Sequence, residues 1–488
     1  MGAKERPEYS SDPILDNKGS GKWHFIGIGG VGMSGIARVW LELGHPVSGS
    51  DLNASALTDG LISLGARVYI GKHDAAYISD DLDAVVVSSA VPDDNPELIA
   101  AREKGIPIMH RASCLARLMQ YKKAIAVSGT HGKSTTSAMI AWLLDQGGLA
   151  PAFFIGAYVN NLEGNGRWGQ GDYMVVEADE SDGSFLELAP DIVLVTNVED
   201  DHLDYYGSQE KLDEAFVTYI NKVPASGTAI LCADDTGLRR LMASVEHKRI
   251  LTYGFSEDAD MRGVNLQQDE HGVSADVLWH GEQIGSLTLQ VYGKHNLLNA
   301  LGALVAGVQC GLGFDNMAST MREFRGTQRR MEFMGEAAGV VLYDDYAHHP
   351  SEIEAVLKAV RQIGKARTVV VFQPHRYSRT QLLYTRFGPA FEEADILVLL
   401  PIYAAFEDPV PGVDVTLIAE EVAKHHQPYP IMAADFEETC DILCDLLSPG
   451  DLVLTMGAGN VRDISEMLRK RLESKDKQDR EETGTGNP

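Results

Sequence analysis

A run of residues that could cradle phosphate extends from Ser128 to Thr136, with the sequence SGTHGKSTT. It follows a short apolar strand pattern and precedes a helical one. The run departs from G-x-x-x-x-G-K-[ST], because Val127 occupies the place of the first glycine and Gly129 is the upstream glycine. The groups that bind phosphate in such a loop are still present despite this departure. Backbone N–H groups can hold phosphate, Lys133 can reach the β- and γ-phosphates, and the Ser134 hydroxyl can ligate Mg²⁺. The run therefore predicts a nucleoside triphosphate site.

A second glycine loop lies near the start of the chain, in HFIGIGGVGMSG. Gly27, Gly29 and Gly32 follow the G-x-G-x-x-G order between a predicted strand and a helix. This order permits a tight turn, a close approach of pyrophosphate to the backbone, and use of the helix N-terminus. Asp51 ends the next strand, where a ribose-binding acid would lie. The motif indicates a pyrophosphate group and not the rest of the ligand. Three alternatives therefore stay open: a site for NAD, a site for a nucleotide-diphosphate sugar, and a turn that binds no ligand.

Acidic side chains follow two later strand patterns. Tyr173–Val176 is followed by EADESD, and Ile192–Val195 is followed by TNVEDDHLD. Ligands collect at the carboxyl ends of strands in open α/β sheets, and a nucleotide-bound Mg²⁺ takes one or two carboxylates. Glu177, the first residue after its strand, is therefore predicted to ligate a metal. His202 is a second candidate.

Basic and aromatic side chains mark the last third of the chain. Arg329 and Arg330 open RRMEF, and two later strand patterns end in DDYAHHP and QPHRYSR. Arginine binds phosphate or carboxylate as a bidentate fork, so this set suits a site where a carboxylate substrate meets ATP. A metal site made of His348, His349 and His375 is conceivable. It is disfavoured because adjacent histidines point in different directions.

These candidate sites need a scaffold of short, Val- and Ile-rich strands that alternate with helices. That pattern predicts an α/β protein with largely parallel sheets. A length of 488 residues suggests about three domains. We expect boundaries near Lys122 and Gly326. The stretch near 225–290 has alternating residues with turn signals between them, so we predict that it is antiparallel.

The composition excludes several classes of protein. Lys and Arg total 42 and Asp and Glu total 70, giving a net charge of −28. We therefore expect neither nucleic acid nor an anionic membrane as a partner. No apolar run reaches the length of about 18 residues that a membrane span needs. The odd number of cysteines, five, is typical of a reducing cytoplasm, and the polar start of the chain is unlike a signal peptide.

From about Trp23 to Leu472 the chain resembles the Mur ligases of peptidoglycan synthesis. The stretches that carry the resemblance are HFIGIGGVGMSGIA, SGTHGKSTT, EADESDGSF, NVEDDHLD, GKHNLLNALGAL, RRMEF, DDYAHHP, FQPHRYSRT and MGAGN. The resemblance implies a Rossmann-like UDP-sugar domain, a central P-loop ATPase domain with a mixed sheet, and a Rossmann-like domain that binds the amino acid. The expected ranges are a mobile 1–21, then 22–121, 122–326 and 327–472, and a disordered tail at 473–488.

The resemblance also implies roles for individual residues. The expected UDP-sugar residues are Gly29, Gly30, Gly32, Met33, Ser34, Asp51, Ser88 and Arg111. The expected ATP residues are Gly129, Thr130, His131, Gly132, Lys133, Ser134, Thr135, His295, Asn296 and Arg330. The expected Mg²⁺ ligands are Ser134, Glu177 and His202. The expected amino-acid residues are Tyr346, His348, His375, Arg376 and Arg379. The expected catalytic residues are Lys133, His202, Arg330 and His348.

The implied reaction joins L-alanine to the carboxylate of UDP-N-acetylmuramate through an acyl phosphate, at the expense of ATP. Three alternatives stay open: a recycling ligase that adds a tripeptide to the same sugar, an NAD-dependent oxidoreductase, and a regulatory module that binds ATP without turnover. The oligomeric state is also open between monomer and dimer. Two departures from the family pattern are Phe406, where a glycine is expected, and Ser113, where glutamate is frequent.

Overall fold

The computed structural model describes residues 21–482, except 248, 270–271, 365, 406 and 426–427. Phe406 therefore lies outside the described residues, as does most of the segment 1–21 that is predicted to be mobile. The described chain is α/β and contains three sheets, as the sequence predicts. The first sheet carries the glycine loop, the second carries the phosphate loop, and strands of the third precede the basic and aromatic candidates.

The first sheet carries the glycine loop. Its five strands are all parallel and lie in the order β3-β2-β1-β4-β5. The strands are β1 (Trp23–Ile26), β2 (Val47–Asp51), β3 (Arg67–Ile70), β4 (Ala84–Val87) and β5 (Ile108–His110). The helices are α1 (Val31–Glu42), α2 (Ala56–Ser63), α3 (Pro96–Glu103) and α4 (Arg111–Met119), with a 3₁₀ turn at Ala75–Tyr77. Burial of the aromatic pair Trp23 and Trp40, stacked at 4.2 Å, packs α1 against β1.

The second sheet carries the phosphate loop and has ten strands in the order β15-β14-β13-β12-β11-β10-β6-β9-β7-β8. The strands are β6 (Lys123–Ser128), β7 (Ala152–Val159), β8 (Gly164–Arg167), β9 (Tyr173–Glu177), β10 (Ile192–Val195), β11 (Thr228–Cys232), β12 (Ile250–Gly254), β13 (Met261–Asp269), β14 (Gly272–Trp279) and β15 (Glu282–Leu289). The helices are α5 (Lys133–Gln146), α6 (Leu203–Tyr206), α7 (Gln209–Asn221), α8 (Thr236–Met242), α9 (Lys294–Gln309) and α10 (Phe314–Met321), with 3₁₀ turns at Asn160–Leu162 and Ser184–Glu187.

The prediction that residues near 225–290 form an antiparallel section is wrong for its first half. Strand β11 pairs parallel with β10 and with β12, and β12 pairs parallel with β13. Helical crossovers account for the first two pairs: α6 and α7 join β10 to β11, and α8 joins β11 to β12, so the chain returns each time to the same end of the sheet. The end of the section has a tight turn, where β14 and β15 are joined by His280 and Gly281.

The third sheet has six strands in the order β16-β17-β21-β18-β19-β20. The strands are β16 (Glu332–Ala337), β17 (Val340–Asp345), β18 (Thr368–Phe372), β19 (Ile396–Leu399), β20 (Ile431–Met432) and β21 (Leu452–Met456). Strand β16 is antiparallel to β17 and the other pairs are parallel. The helices are α11 (Pro350–Arg361), α12 (Tyr377–Ala390), α13 (Thr416–Val422), α14 (Phe436–Leu446) and α15 (Arg462–Glu482).

The chain divides into two compact units, each treated separately below. The first extends through Asn265 and adds Ala275–Thr288 and Leu297–Arg325. The second comprises Leu266–Ser274, Leu289–Asn296 and the chain from Gly326. The first unit contains both phosphate-loop candidates, and the second contains most of the basic and aromatic candidates.

The end of the described chain differs from the expected disordered tail. Helix α15 continues through Glu482, so residues 473–482 are helical. Arg469 and Glu473 form an (i, i+4) ion pair at 2.8 Å, and the Lys475 ammonium donates to the carbonyl of Cys444 at 2.9 Å. Such contacts extend a helix beyond its apolar stripe. No helix in the described part of the chain has the length and apolarity needed to cross a membrane.

Candidate active site

The phosphate loop is a strained turn that only glycine can form at two positions. Gly129 has φ +124° and Gly132 has φ +81°. A Cβ at Gly129 would lie 2.2 Å from the Thr196 hydroxyl, and one at Gly132 would lie 2.6 Å from Asn299 Oδ1. The loop thus turns tightly between β6 and α5, and places the N-terminus of α5 at the carboxyl end of the sheet.

The loop backbone is held from the neighbouring strand β10. The N–H groups of Thr130 and His131 donate to Asn197, at 3.1 Å to its carbonyl oxygen and 2.8 Å to its Oδ1. Asn197 also donates from its amide to the carbonyl of His131 at 3.0 Å. Because these groups are occupied, the loop N–H groups available to a ligand include those of the first turn of α5, from Lys133 to Thr135, where no intrahelical acceptor exists.

Lys133 lies in a nearly buried nest of oxygens. Its ammonium donates to the carbonyls of Gly129 at 2.6 Å and Thr130 at 3.1 Å, and to Glu180 Oε1 at 2.8 Å. Burial lowers the pKa of Lys133, but the surrounding carboxylates, first Glu180 and then Asp179, outweigh burial and raise it. Lys133 is therefore a fixed cation at the mouth of the loop.

The structure brings together Ser134 and Glu177, two of the predicted Mg²⁺ ligands. The Ser134 hydroxyl donates to Glu177 Oε1 at 2.9 Å, and the Gly156 N–H donates to Oε2 at 2.6 Å. A Cβ at Gly156 would lie 2.9 Å from both carboxylate oxygens, so the backbone of β7 approaches Glu177 closely. One carboxylate and one hydroxyl at the start of a phosphate-binding helix form a donor set of the kind that Mg²⁺ prefers.

His202 lies beside a second carboxylate, that of Glu180. Its Nε2 is 3.8 Å from Glu180 Oε1 and 3.6 Å from Asp201 Oδ2. Its backbone has φ +58°, an uncommon conformation for histidine that turns the chain into α6. The structure thus brings His202 to the acid loop and to the Lys133–Glu180 pair, and makes no direct contact between His202 and Glu177.

The glycine loop of the first sheet is built around Asp51. Gly27, with φ +75°, and Ile28 donate their N–H groups to the carbonyl of Ser50 at 2.8 and 2.9 Å. The Gly29 N–H donates to Asp51 Oδ2 at 2.9 Å. A Cβ at Gly29 would lie 2.9 Å from that oxygen. In this structure the carboxylate of Asp51 fixes the loop, which adds to the ribose contact predicted for it.

The remaining UDP-sugar candidates divide into buried and accessible groups. Met33 and Ser34 are buried in the first turns of α1, and the Ser34 hydroxyl donates to the carbonyl of Val31 at 3.0 Å. Arg111, at the start of α4, lies beside the loop, since a Cβ at Gly32 would be 3.3 Å from its Nη1. Ser88 follows β4, and its carbonyl accepts from Val91 at 3.1 Å.

Arg111 also reaches the acid loop of the second sheet. Its Nη2 donates to Asp179 Oδ2 at 3.0 Å. Burial raises the pKa of Asp179, but Lys133 and Arg111 outweigh that effect and lower the pKa to about 2. Ser113, on the same helix, donates to Glu187. Arg111 therefore connects the glycine loop with the phosphate-loop side of the first unit.

In the second unit, the two arginines of RRMEF pack around Tyr346. The guanidinium carbons of Arg329 and Arg330 lie 5.0 and 5.4 Å from the centre of the Tyr346 ring, within cation–π range. Arg329 also donates to the carbonyl of Gly457 at 2.6 Å and to Asp344 Oδ2 at 3.2 Å. Arg330 Nη1 lies 3.4 Å from Glu352 Oε1, and Arg330 remains the candidate for a phosphate contact.

Two neutral histidines follow this cluster. The rings of His348 and His375 are 5.8 Å apart, and Arg379 Nη1 is 3.3 Å from His375 Nδ1. Burial, with Arg379 next in size, lowers the pKa of His348 to about 3 and that of His375 to about 4. Arg376 has φ +72° and ψ +139°, a strained conformation of the kind found at functional sites.

Other candidates in this unit have different surroundings. The pKa of His295 is lowered to about 4 by burial and then by Arg330, so His295 is a neutral neighbour of that arginine. The Asn296 amide donates to the carbonyl of Tyr292 at 2.7 Å. His349 is buried and its Nδ1 lies 2.7 Å from the Ser351 hydroxyl, whereas His348 Nδ1 is 3.0 Å from the carbonyl of Tyr346. The two adjacent histidines thus point in different directions.

Sequence reasoning did not assign roles to several residues that hold the phosphate loop. Glu180 pairs with Lys133, Asn197 accepts from the loop, and Asn299 packs against Gly132. Glu180 and Asn197 were visible as polar residues just after strands. Asn299 gave no such signal, because it lies within the apolar helix α9 and is brought to the loop only by folding.

Comparison with known proteins identifies the family. Family models match three successive parts of the chain: "Mur ligase family, catalytic domain" at residues 22–123, "Mur ligase middle domain" at 127–307, and "Mur ligase, glutamate ligase domain" at 329–459. The UDP-N-acetylmuramate–L-alanine ligase of Pelotomaculum thermopropionicum is 46% identical over 455 residues, which are 93% of this chain and 98% of that protein. The chain belongs to the Mur ligase family. The Geotalea daltonii protein of the same name is 44% identical over 92% of this Mur ligase and 97% of its own length.

Solved structures agree with this Mur ligase fold. A UDP-N-acetylmuramate–alanine ligase from Thermotoga maritima matches with a TM-score of 0.80 and 28% identity, over 93% of this chain and 99% of that one. A murein peptide ligase from Psychrobacter arcticus matches with a TM-score of 0.71 and 22% identity, over 93% and 98%. The second likeness shows the fold alone.

Proposed function

We propose that this Mur ligase joins L-alanine to the carboxylate of UDP-N-acetylmuramate and converts ATP to ADP and phosphate, in the synthesis of peptidoglycan precursors. The observation that carries the proposal is the cluster of Lys133, Ser134 and Glu177 at the mouth of a glycine-turned loop. Relatives of 44–46% identity that are named for this activity support the choice of substrates.

In the first step, an oxygen of the muramate carboxylate attacks the γ-phosphorus of ATP. The bond from γ-phosphorus to the bridging oxygen breaks, and an acyl phosphate and ADP form. Two anions must approach each other, so the fixed cation Lys133 and the first turn of α5 stabilise the charge that develops on the phosphoryl oxygens. We also propose a phosphate contact for Arg330.

The residues around Ser134 fit a magnesium ion. We propose that Glu177 and the Ser134 hydroxyl would hold it, with His202 as the third ligand that the family resemblance implies. When bound, Mg²⁺ supplies positive charge that neutralises the phosphates. The chain's own part is to keep Glu177 oriented through the 2.6 Å bond from the Gly156 N–H.

In the second step, the amine of L-alanine attacks the acyl carbon, phosphate leaves, and the amine loses a proton. We propose that Arg376 and Arg379 bind the alanine carboxylate and that Tyr346, His348 and His375 line its pocket. Burial keeps both imidazoles neutral at pH 7. A neutral imidazole can accept a hydrogen bond, so His348 is the candidate to orient the amine or a bridging water, and its lowered pKa makes it too weak a base to keep the proton.

The glycine loop serves the UDP-sugar in this proposal. The start of α1 and Arg111 offer N–H groups and a cation to its diphosphate. An NAD-dependent oxidoreductase would use the same loop but would leave Lys133, Ser134 and Glu177 without a purpose. The cytoplasmic location stays a prediction, consistent with five free cysteines in the described chain.

The test is phosphate release from ATP and Mg²⁺ with UDP-N-acetylmuramate, adding alanine, glycine, serine or the tripeptide in turn. Release that requires both the UDP-sugar and alanine supports the proposal. Release with the tripeptide alone would assign the protein to the recycling activity. Release without a UDP-sugar, or none at all, would contradict ligation and make NADH binding the next measurement.

A further inference from the structure

The hairpin β7–β8 of the second sheet contacts the first helix of the glycine loop. Asn165, on β8, is buried with 4% of its surface exposed. Its amide Nδ2 donates to the carbonyl of Val31 at 2.6 Å and to the Ser34 hydroxyl at 3.0 Å. Both acceptors lie in the first turn of α1. A single buried side chain of the second sheet thus donates both of its amide N–H groups to helix α1, which begins at the glycine loop.

The backbones of the two elements touch at the same place. A Cβ at Gly166 would lie 2.7 Å from the Cα of Gly35 and 2.8 Å from its carbonyl oxygen. A Cβ at Gly35 would lie 3.3 Å from the carbonyl oxygen of Asn165. Further along, the Trp168 N–H donates to Glu42 Oε2 at 2.8 Å. Because α1 and β8 meet without side chains between them, their spacing is fixed by contact.

The hairpin that carries Asn165 is itself fixed. Strand β7 pairs with β9, and the Gly156 N–H is held by Glu177 at 2.6 Å. At the turn, Asn161 donates to the carbonyl of Glu323 at 2.8 Å and accepts from the Arg325 N–H at 2.7 Å. An anchor can position another element only when it is rigid, and this hairpin is tied at its strand and at its turn.

We propose that Asn165 is a positioning residue for the UDP-sugar. By binding the first turn of α1 it sets the direction of the N–H groups that the glycine loop presents to the diphosphate. This inference rests on the proposed function. The inference extends the proposed function because it assigns the positioning of the glycine loop to a residue of the second sheet. That residue, Asn165, lies outside both phosphate-binding motifs.

The test compares Asn165→Ala, Asn165→Asp and a matched control, Asn161→Ala. Aspartate keeps the shape of asparagine and removes the N–H donors. We expect each Asn165 variant to raise KM for UDP-N-acetylmuramate about tenfold, which corresponds to about 1.4 kcal/mol. Both kcat and KM for ATP should stay within about twofold of the wild-type values, a change of about 0.4 kcal/mol, because Asn165 donates to α1 and not to the phosphate loop. Asn161→Ala removes two bonds from the turn of the same hairpin and leaves β7 paired with β9. It should therefore raise KM for the UDP-sugar much less than either Asn165 variant does.

Gly166→Ala is a second perturbation, because it keeps every hydrogen-bonding group and displaces α1 by contact. It should also raise KM for the UDP-sugar. Thermal unfolding identifies the variants that fold, and calorimetry with UDP-N-acetylmuramate alone gives its Kd without turnover. Equal KM values in Asn165→Ala and Asn161→Ala would overturn the inference, as would equal increases in both substrates' KM. An inactive wild-type protein would instead refute the proposed function.

Discussion

Replacing Lys133 by methionine tests the ionic centre of the phosphate loop. Methionine keeps most of the apolar stem and removes the ammonium that lies 2.8 Å from Glu180 Oε1. The Glu180 side chain is 1% exposed, so the substitution leaves a buried carboxylate without its cation. Breaking a buried pair in this way costs about 3–5 kcal/mol. We expect the lower end of that range, because His202 Nε2 lies 3.8 Å from the same oxygen and can take up part of the charge.

The double variant Lys133→Met with Glu180→Gln separates stability from catalysis. Glutamine removes the uncompensated charge, so the double variant should regain about 2–3 kcal/mol of unfolding free energy relative to Lys133→Met. Turnover should not return, because the cation at the phosphates is still absent. We expect kcat to fall about 10²–10³-fold in both variants, the loss typical of one preorganised charge-stabilising group.

Three measurements on both variants test these expectations: urea unfolding, phosphate release, and calorimetric binding of UDP-N-acetylmuramate. Binding of the UDP-sugar should persist in both variants, since the glycine loop is separate from Lys133. A double variant no more stable than Lys133→Met would refute the argument from buried charge. Wild-type turnover in Lys133→Met would refute the phosphate role of the loop, and loss of UDP-sugar binding in a folded variant would refute the division of labour between the two loops.

Three further predictions concern the glycine loop and the second unit. Gly29→Ala should raise KM for the UDP-sugar and leave KM for ATP unchanged, because its Cβ would lie 2.9 Å from Asp51 Oδ2; equal changes in both constants would contradict it. The pKa of His348 is lowered to about 3, so the unfolded chain binds the extra proton and stability falls as pH drops below about 6.5. His348→Asn should reduce this slope by about 1.4 kcal/mol per pH unit between about pH 6 and 4 in urea titrations, and an unchanged slope would show that the imidazole is protonated when folded. Arg376→Gly should relieve a strained backbone, with φ +72°, and stabilise the protein by about 1 kcal/mol while raising KM for alanine; a destabilised variant would count against strain.

The α/β class and the strands that carry both loops could be predicted, because Val- and Ile-rich runs of strand length are specified locally. The direction of β11 and β12 could not. The alternation of residues in 225–290 resembles an antiparallel section, and the short helix α8, which makes the pairing parallel, gives only a weak helical pattern. The helical residues 473–482 were missed for a related reason, since a charged composition does not distinguish an exposed helix from disorder.

The placement of site residues shows the same division. Lys133, Ser134 and Glu177 could be chosen from type and position, because a phosphate loop and a strand end are local features. Asn299 and Asn165 could not, since each acts on a loop more than a hundred residues away in sequence. Nothing local distinguishes such an asparagine from one on the surface.

The sequence by itself determined the chemistry that the protein can offer: glycines where the backbone must turn with positive φ, a lysine and a hydroxyl at a helix start, and acids after strands. These are short-range consequences of backbone sterics and the helix dipole. The tertiary structure decided which charges meet. It buried Glu180 against Lys133, set Arg111 between the glycine loop and Asp179, and kept His348 neutral. Burial and distance control electrostatic energy, and both exist only once distant segments have packed together.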